Sequence, residues 1–166
     1  LEAETYDDPA NCTWPFGTHI VAVEVDPETG EFDFLDYVAT EDCGVQINPT
    51  IVEGQLVGAI AQGLGQTLYE DVEYSEDGRL LSDSFRTERV GSRGGYTLPK
   101  AEHVPDITVR STETPSPHTP HGAEGLGAMG TLDVPGAGLK AHEDAAEPYD
   151  TAEQQPPEHQ QKTWRC

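Results

Sequence analysis

Four glycines fall within the nine residues Gly122-Ala123-Glu124-Gly125-Leu126-Gly127-Ala128-Met129-Gly130, with Thr131 next. Successive backbone N–H groups in such a run can form a nest for an anion. The segment lacks the Gly-Lys-Ser/Thr of a phosphate-binding loop, and its residues give no strong helix signal immediately after it. On these residues alone an ordinary tight loop is the simpler reading, and an anion-binding loop the sharper one. Two other groupings could do chemistry. Gln55, Gln62 and Gln66 share one stripe of a predicted helix and could bind a polar ligand, although solvated glutamines are commoner. His118 and His121 lie three apart, but the prolines around them forbid a helix, so they are not a helical metal pair. Cys12, Cys43 and Cys166 form no CxxC pair and are expected to be reduced thiols, as in a cytoplasmic protein. The sequence holds no nucleophile elbow, no HExxH and no EF-hand loop.

The elements that must position these residues are legible in part. His19-Ile20-Val21-Ala22-Val23-Glu24-Val25 alternates and is β-branched, and so predicts a strand. Asp26-Pro27-Glu28-Thr29-Gly30 is a turn, and residues 31–38 return as the second strand of a hairpin. Asn48 is a natural N-cap, with Pro49 at the first helical position of a helix expected to run to about Asp71. Along it Val52, Leu56, Ile60, Leu64 and Leu68 make an apolar ridge, and Gly54, Gly58, Ala61 and Gly65 make a flat stripe beside it. Glycine inside a helix costs roughly 1 kcal/mol relative to alanine, so the stripe predicts something packed close to the backbone. A second hairpin is expected around Ser75–Arg79, a polar loop over 86–95, a strand over 106–113, a rigid extended segment over 114–121, and a weak helix at best over 138–147. The reading is α+β, with β-hairpins and short strands packed on one long glycine-rich helix. Residues 1–150 form a single domain, and 151–166 form a polar, frayed tail.

Composition narrows the partners. Thirty-one acidic residues face nine Lys and Arg in 166, for a net charge of −22. Such a surface repels nucleic acid and anionic lipid. The acids are spread between apolar segments rather than gathered in runs, a pattern that fits a folded halophilic protein better than an acidic interaction tail. No stretch approaches the roughly 20 apolar residues of a membrane helix. The start, Leu1-Glu2-Ala3-Glu4, resembles neither a signal peptide nor an initiator, and reads as the interior of a longer chain.

Several segments, in order and spacing, resemble a known family. They are Val23-Glu24-Val25-Asp26-Pro27-Glu28-Thr29-Gly30; Asp42-Cys43-Gly44-Val45-Gln46-Ile47-Asn48-Pro49 running into Glu53-Gly54-Gln55-Leu56-Val57-Gly58 and Gln62-Gly63-Leu64-Gly65-Gln66; Leu98-Pro99 with Val104-Pro105-Asp106-Ile107; and Glu113-Thr114-Pro115-Ser116-Pro117 leading to the glycine loop. Together they resemble the C-terminal part of the molybdopterin-binding large subunit of the xanthine dehydrogenase, aldehyde oxidase and aerobic carbon monoxide dehydrogenase family. The resemblance implies a molybdopterin cofactor, which the chain alone is not expected to retain. It implies as partners the remainder of the molybdenum subunit together with iron–sulfur and FAD subunits or domains. It points to Gly125, Gly127 and Gln62 as cofactor-facing residues, and leaves carbon monoxide, aldehydes and purines all open as substrates.

The departures from that pattern are as informative. The family's loop reads approximately Gly-Ala-Lys-Gly-Val-Gly-Glu-Ala-Gly-Thr, and its glutamate is the catalytic base. Here Ala128 stands at the glutamate position and Glu124 at the lysine position, and residues 86–95 look like an insertion. The resemblance therefore implies a fragment of a molybdenum hydroxylase subunit that is inactive alone. The alternative is a non-catalytic remnant or scaffold of the same fold.

Overall fold

The computed structural model describes residues 2–6, 8, 11–26, 32–86 and 96–147. Strand β1 (Phe16–Val25) and strand β2 (Phe32–Asp42) pair antiparallel. Each is longer than its alternating apolar run suggested, because Phe16-Gly17-Thr18 pairs with Thr40-Glu41-Asp42. The turn expected at Asp26–Gly30 falls largely outside the described residues, as do most of the loop at 86–95 and the tail at 151–166. A bulge after Ala22 sets Ala22 opposite Asp36 and Val23 opposite Phe34, leaving Leu35 unpaired and exposed.

Asn48 caps helix α1 (Pro49–Leu68), its side chain accepting the Ile51 N–H at 3.3 Å. Two short strands follow, β3 (Phe85–Arg86) and β4 (Tyr96–Thr97), paired in parallel. The hairpin expected at 75–79 is reduced to one bridge, Tyr74 to Leu80. Strand β5 (Ile107–Thr112) joins the main sheet parallel to β2, giving the order β1-β2-β5. The chain ends its described part in helix α2 (Met129–Ala146).

The sheet thus packs against two helices, where one was expected, and the fold is α+β. The core is Tyr37 and Ala39 of β2, Leu56, Ile60, Leu64 and Leu68 of α1 with Tyr69 after it, and Val134 of α2. The ridge read from the sequence is this core's backbone; only Val52, its first member, stays half-buried. The glycine stripe works differently from its reading. A Cβ at Gly54 or Gly58 would meet nothing within 4 Å. The close approach is at Gly63, where a Cβ would lie 2.7 Å from Val134 and 3.0 Å from the Thr131 carbonyl. Gly130 of α2 answers it, against Leu56 and Ala59. The weak helix expected at 138–147 is in fact 18 residues long, with Pro135 inside it. Packing of Val134, Gly138 and His142, all buried, overrides the poor local propensity.

The other face of the sheet is less covered among the described residues. Along β1 every second residue is exposed, and among them Phe16 is 57% and Ile20 67% exposed. Among the described residues no helix is long and apolar enough to cross a membrane.

Candidate functional site

Two of the motif segments, the one beginning at Asp42 and the one that leads from Glu113 into the glycine loop, are far apart in sequence but meet at one end of the sheet. The chain leaves β2 at Asp42, and this carboxylate organises the exit. Its Oδ1 accepts the N–H groups of Gly44 and Thr114, each at 2.9 Å, and its Oδ2 accepts the hydroxyls of Thr112 at 2.9 Å and Thr114 at 2.8 Å. Burial alone would push the Asp42 carboxyl up, but these four donors outweigh it and hold the group below its ordinary value. Gly44 then makes a bridge with Ala123, and the Val45 N–H donates to the Gly122 carbonyl at 3.1 Å. The Glu124 N–H donates to the Cys43 carbonyl at 2.7 Å. Gly44 sits at φ +66°, and a Cβ there would overlap the Gly122 carbonyl, so only glycine serves. Burial, then Asp42, pushes the Cys43 thiol up, so it is a protonated core group and not a nucleophile.

The glycine loop leaves this junction and crosses the first half of α1. Gln55 Nε2 donates to the Gly127 carbonyl at 2.7 Å. Thr131 Oγ1 donates to the Ala59 carbonyl at 2.9 Å. Gly125 and Gly127 are exposed with open space around them, and Gly127 sits at φ +47°. Helix α2 begins directly after them at Met129, where no strong helix was expected to start. Its N-cap is Ala128, exposed, with no side-chain cap. Gln62 is also exposed, two turns or about 10 Å further along α1 than the glutamine that holds the loop. The glutamine stripe therefore divides, Gln55 fixing the loop and Gln62 standing apart from it.

His118 and His121 stay apart from this chemistry. Both are exposed, and His121 adopts φ +64° in a short 3₁₀ turn over Pro120–Gly122, where a plain extended segment was expected.

A second polar group was missed by the sequence reading. His19, Tyr37, Glu41 and Asp133 meet between the sheet and α2. His19 Nδ1 lies 2.8 Å from Tyr37 Oη, and Nε2 lies 2.8 Å from Glu41 Oε1 and 3.8 Å from Asp133 Oδ2. The side chains of His19 and Glu41 are buried, and that of Asp133 is 39% exposed. With Glu41 ionised, Nε2 carries the proton and Nδ1 accepts from the Tyr37 hydroxyl. Burial, then Asp133 and Glu41, pushes the Tyr37 hydroxyl well above its ordinary value, so it stays protonated. The signal was in the register. With Gly17 opposite Glu41, and His19 opposite Ala39, alternation puts Gly17, His19, Tyr37 and Glu41 on one face. Ending the second strand at Val38 hid it.

Comparison with known proteins places the sequence and the fold among relatives. Residues 1–105 match the molybdopterin cofactor-binding domain family. The nicotine 6-hydroxylase large subunit of Paenarthrobacter nicotinovorans is 40% identical over 133 residues, which is 80% of this chain and 15% of that protein. The carbon monoxide dehydrogenase large chain of Afipia carboxidovorans is 37% identical over 127 residues, 76% of this chain and 15% of that one. Among solved structures, carbon monoxide dehydrogenase from Oligotropha carboxidovorans superposes with a TM-score of 0.86 at 30% identity, covering 97% of this chain and 19% of that one. Quinoline 2-oxidoreductase from Pseudomonas putida 86 gives 0.78 at 38% identity, covering 90% of this chain and 18% of that one. The chain belongs to the molybdopterin-binding large-subunit family of xanthine dehydrogenase, aldehyde oxidase and aerobic carbon monoxide dehydrogenase. It spans about 15% of the length of these two curated relatives.

Proposed function

We propose that this chain is one segment of the cofactor-binding subunit of a molybdenum hydroxylase, forming one wall of the cofactor site and inactive by itself. The observation that carries this reading is the junction of Asp42–Gly44, the first half of α1 and the loop Gly122–Gly130, which presents Gly125, Gly127 and Ala128 outward on one exposed surface. A glycine-rich loop running into a helix N-terminus is a setting that favours an anion. Two features oppose a complete site. Glu124 sets a carboxylate beside the same loop, and Ala128 has a methyl where a proton acceptor is needed. The described residues offer one open wall and do not enclose a molybdopterin, so no chemical step is assigned to them. The exposed Phe16 and Ile20 on the far face of the sheet support the fragment reading, since a larger subunit would cover them.

In this reading iron–sulfur and FAD subunits are the electron-transfer partners of the assembled enzyme, and the substrate is chosen by residues outside this chain. The test is to supply the remainder of the subunit from a relative and to assay carbon monoxide, an aldehyde and a purine. We expect Ala128→Glu to raise turnover of the assembled subunit by about 100-fold or more, the usual worth of a general base. Equal rates with Ala128 and with glutamate would overturn the assignment of that position. A stable complex without turnover in either form would favour the scaffold alternative.

A further inference from the structure

We propose that His19, Glu41 and Asp133 form a binding site for one divalent zinc-class metal ion, separate from the cofactor wall. The three side chains come from β1, β2 and α2, so the fold itself assembles them. Each offers a donor atom, and the three donors lie within 4.8 Å of one another. One imidazole nitrogen and two carboxylate oxygens are a donor set suited to zinc and to its first-row neighbours.

The spacing is close to what a metal requires. Ligand bonds of about 2.0–2.1 Å at tetrahedral angles set donors about 3.3 Å apart. Nε2 to Glu41 Oε1 is 2.8 Å and Nε2 to Asp133 Oδ2 is 3.8 Å. Of these two pairs one must open, and the other close, by about half an ångström, within the reach of small side-chain rotations, while the third pair, between the Glu41 and Asp133 oxygens, lies within 4.8 Å. The Asp133 side chain is 39% exposed, so this corner of the group is in contact with solvent, from which a metal and a fourth, water ligand would come.

Charge and hydrogen bonding supply independent support. Glu41 is 2% exposed, and its second oxygen, Oε2, is buried without a hydrogen-bond partner among the described residues. A buried carboxylate oxygen left unpaired is costly. Its neighbour Asp133 adds a second negative charge, and among the described residues no Lys or Arg pairs with either. His19 is the one cationic candidate, and a divalent ion would answer both carboxylates where a single imidazolium answers one. Gly17 permits the arrangement, since a Cβ there would overlap the Glu41 carboxylate. When a metal takes Nε2, the imidazole proton sits on Nδ1 and is donated to Tyr37 Oη, the outer hydrogen bond that commonly orients a metal-ligating histidine.

The experiment is calorimetric titration of the full 166-residue chain with Zn²⁺ after chelator treatment, in molar salt and with magnesium in large excess to occupy the acidic surface. Co²⁺ serves as a parallel optical probe. We expect one Zn²⁺ per chain, a rise in melting temperature on binding, and the intense visible bands of a four- or five-coordinate Co²⁺. Asp133→Asn should weaken binding at least about tenfold, the lower end of what even an outer-shell loss costs. His19→Gln should abolish it; if that variant does not fold, Asp133→Asn decides, because its side chain is partly exposed. Asp144→Asn, an exposed carboxylate on the same helix, should leave affinity unchanged. Absence of saturable one-to-one binding, or equal affinity in the parent and Asp133→Asn, overturns the proposal, as does an Asp144→Asn loss as large as that of Asp133→Asn.

Discussion

Asp42 joins the end of β2 to the start of the segment that leads into the glycine loop, through four hydrogen bonds to Gly44, Thr112 and Thr114. All four partners donate, so an ionised carboxylate satisfies them and an amide cannot, because Asn turns an NH₂ toward donors. Asp42→Asn should destabilise the chain by about 2–4 kcal/mol in chemical denaturation, the cost of losing charge-assisted bonds at a buried site. The pH dependence follows from the lowered carboxyl. A group whose folded value lies below its unfolded value stabilises the fold above the unfolded range, about pH 4, and that stabilisation is lost as pH falls through the folded value. Other carboxylates titrate in the same window and act through their mutual repulsion, so the parent alone would not isolate Asp42. The gap in stability between the parent and Asp42→Asn should be constant above about pH 5 and shrink below pH 4. A gap independent of pH would contradict this role.

Helices α1 and α2 meet through small residues, and the helix contact makes unlike demands on like residues. At Gly63 a methyl would be driven to 2.7 Å from Val134, while at Gly58 it would meet nothing within 4 Å. Gly63→Ala should therefore destabilise by about 1–3 kcal/mol through overpacking. Gly58→Ala should stabilise by about 0.5–1 kcal/mol through helix propensity. Thermal melts of the two variants should move in opposite directions; a common direction would mean that the α1–α2 contact is misplaced. These elements also show what was legible in the sequence. The first hairpin and α1 were readable because alternation, Asn48-Pro49 and the ridge from Leu56 to Leu68 are local patterns. Helix α2 was not, since Gly130, Pro135, Gly136 and Gly138 argue against a helix and only the partner surface on α1 explains it. The same holds for the polar groups. The glycine loop announces itself by composition, whereas the pairing of His19 with Glu41 depends on a register that continues past the obvious end of the strand.

At the scale of the whole molecule, charge dominates. Thirty-one acidic residues against nine basic ones create a self-repulsion that salt screens. For a chain of this size each kcal/mol relieved raises the melting temperature by about 2–4 °C. We expect a rise of several such steps from dilute buffer to molar potassium chloride, and a flat profile would remove the halophile reading. The chain spans about 15% of its curated relatives, and in the function proposed above it supplies one wall of a cofactor site that the remainder of a subunit closes. The most direct measurement is the molybdenum content of the purified chain by elemental analysis, alone and after assembly with the remaining segments of a related large subunit. The account predicts no retained molybdenum in the chain alone and about one atom per assembled subunit. Stoichiometric molybdenum in the isolated chain would contradict it.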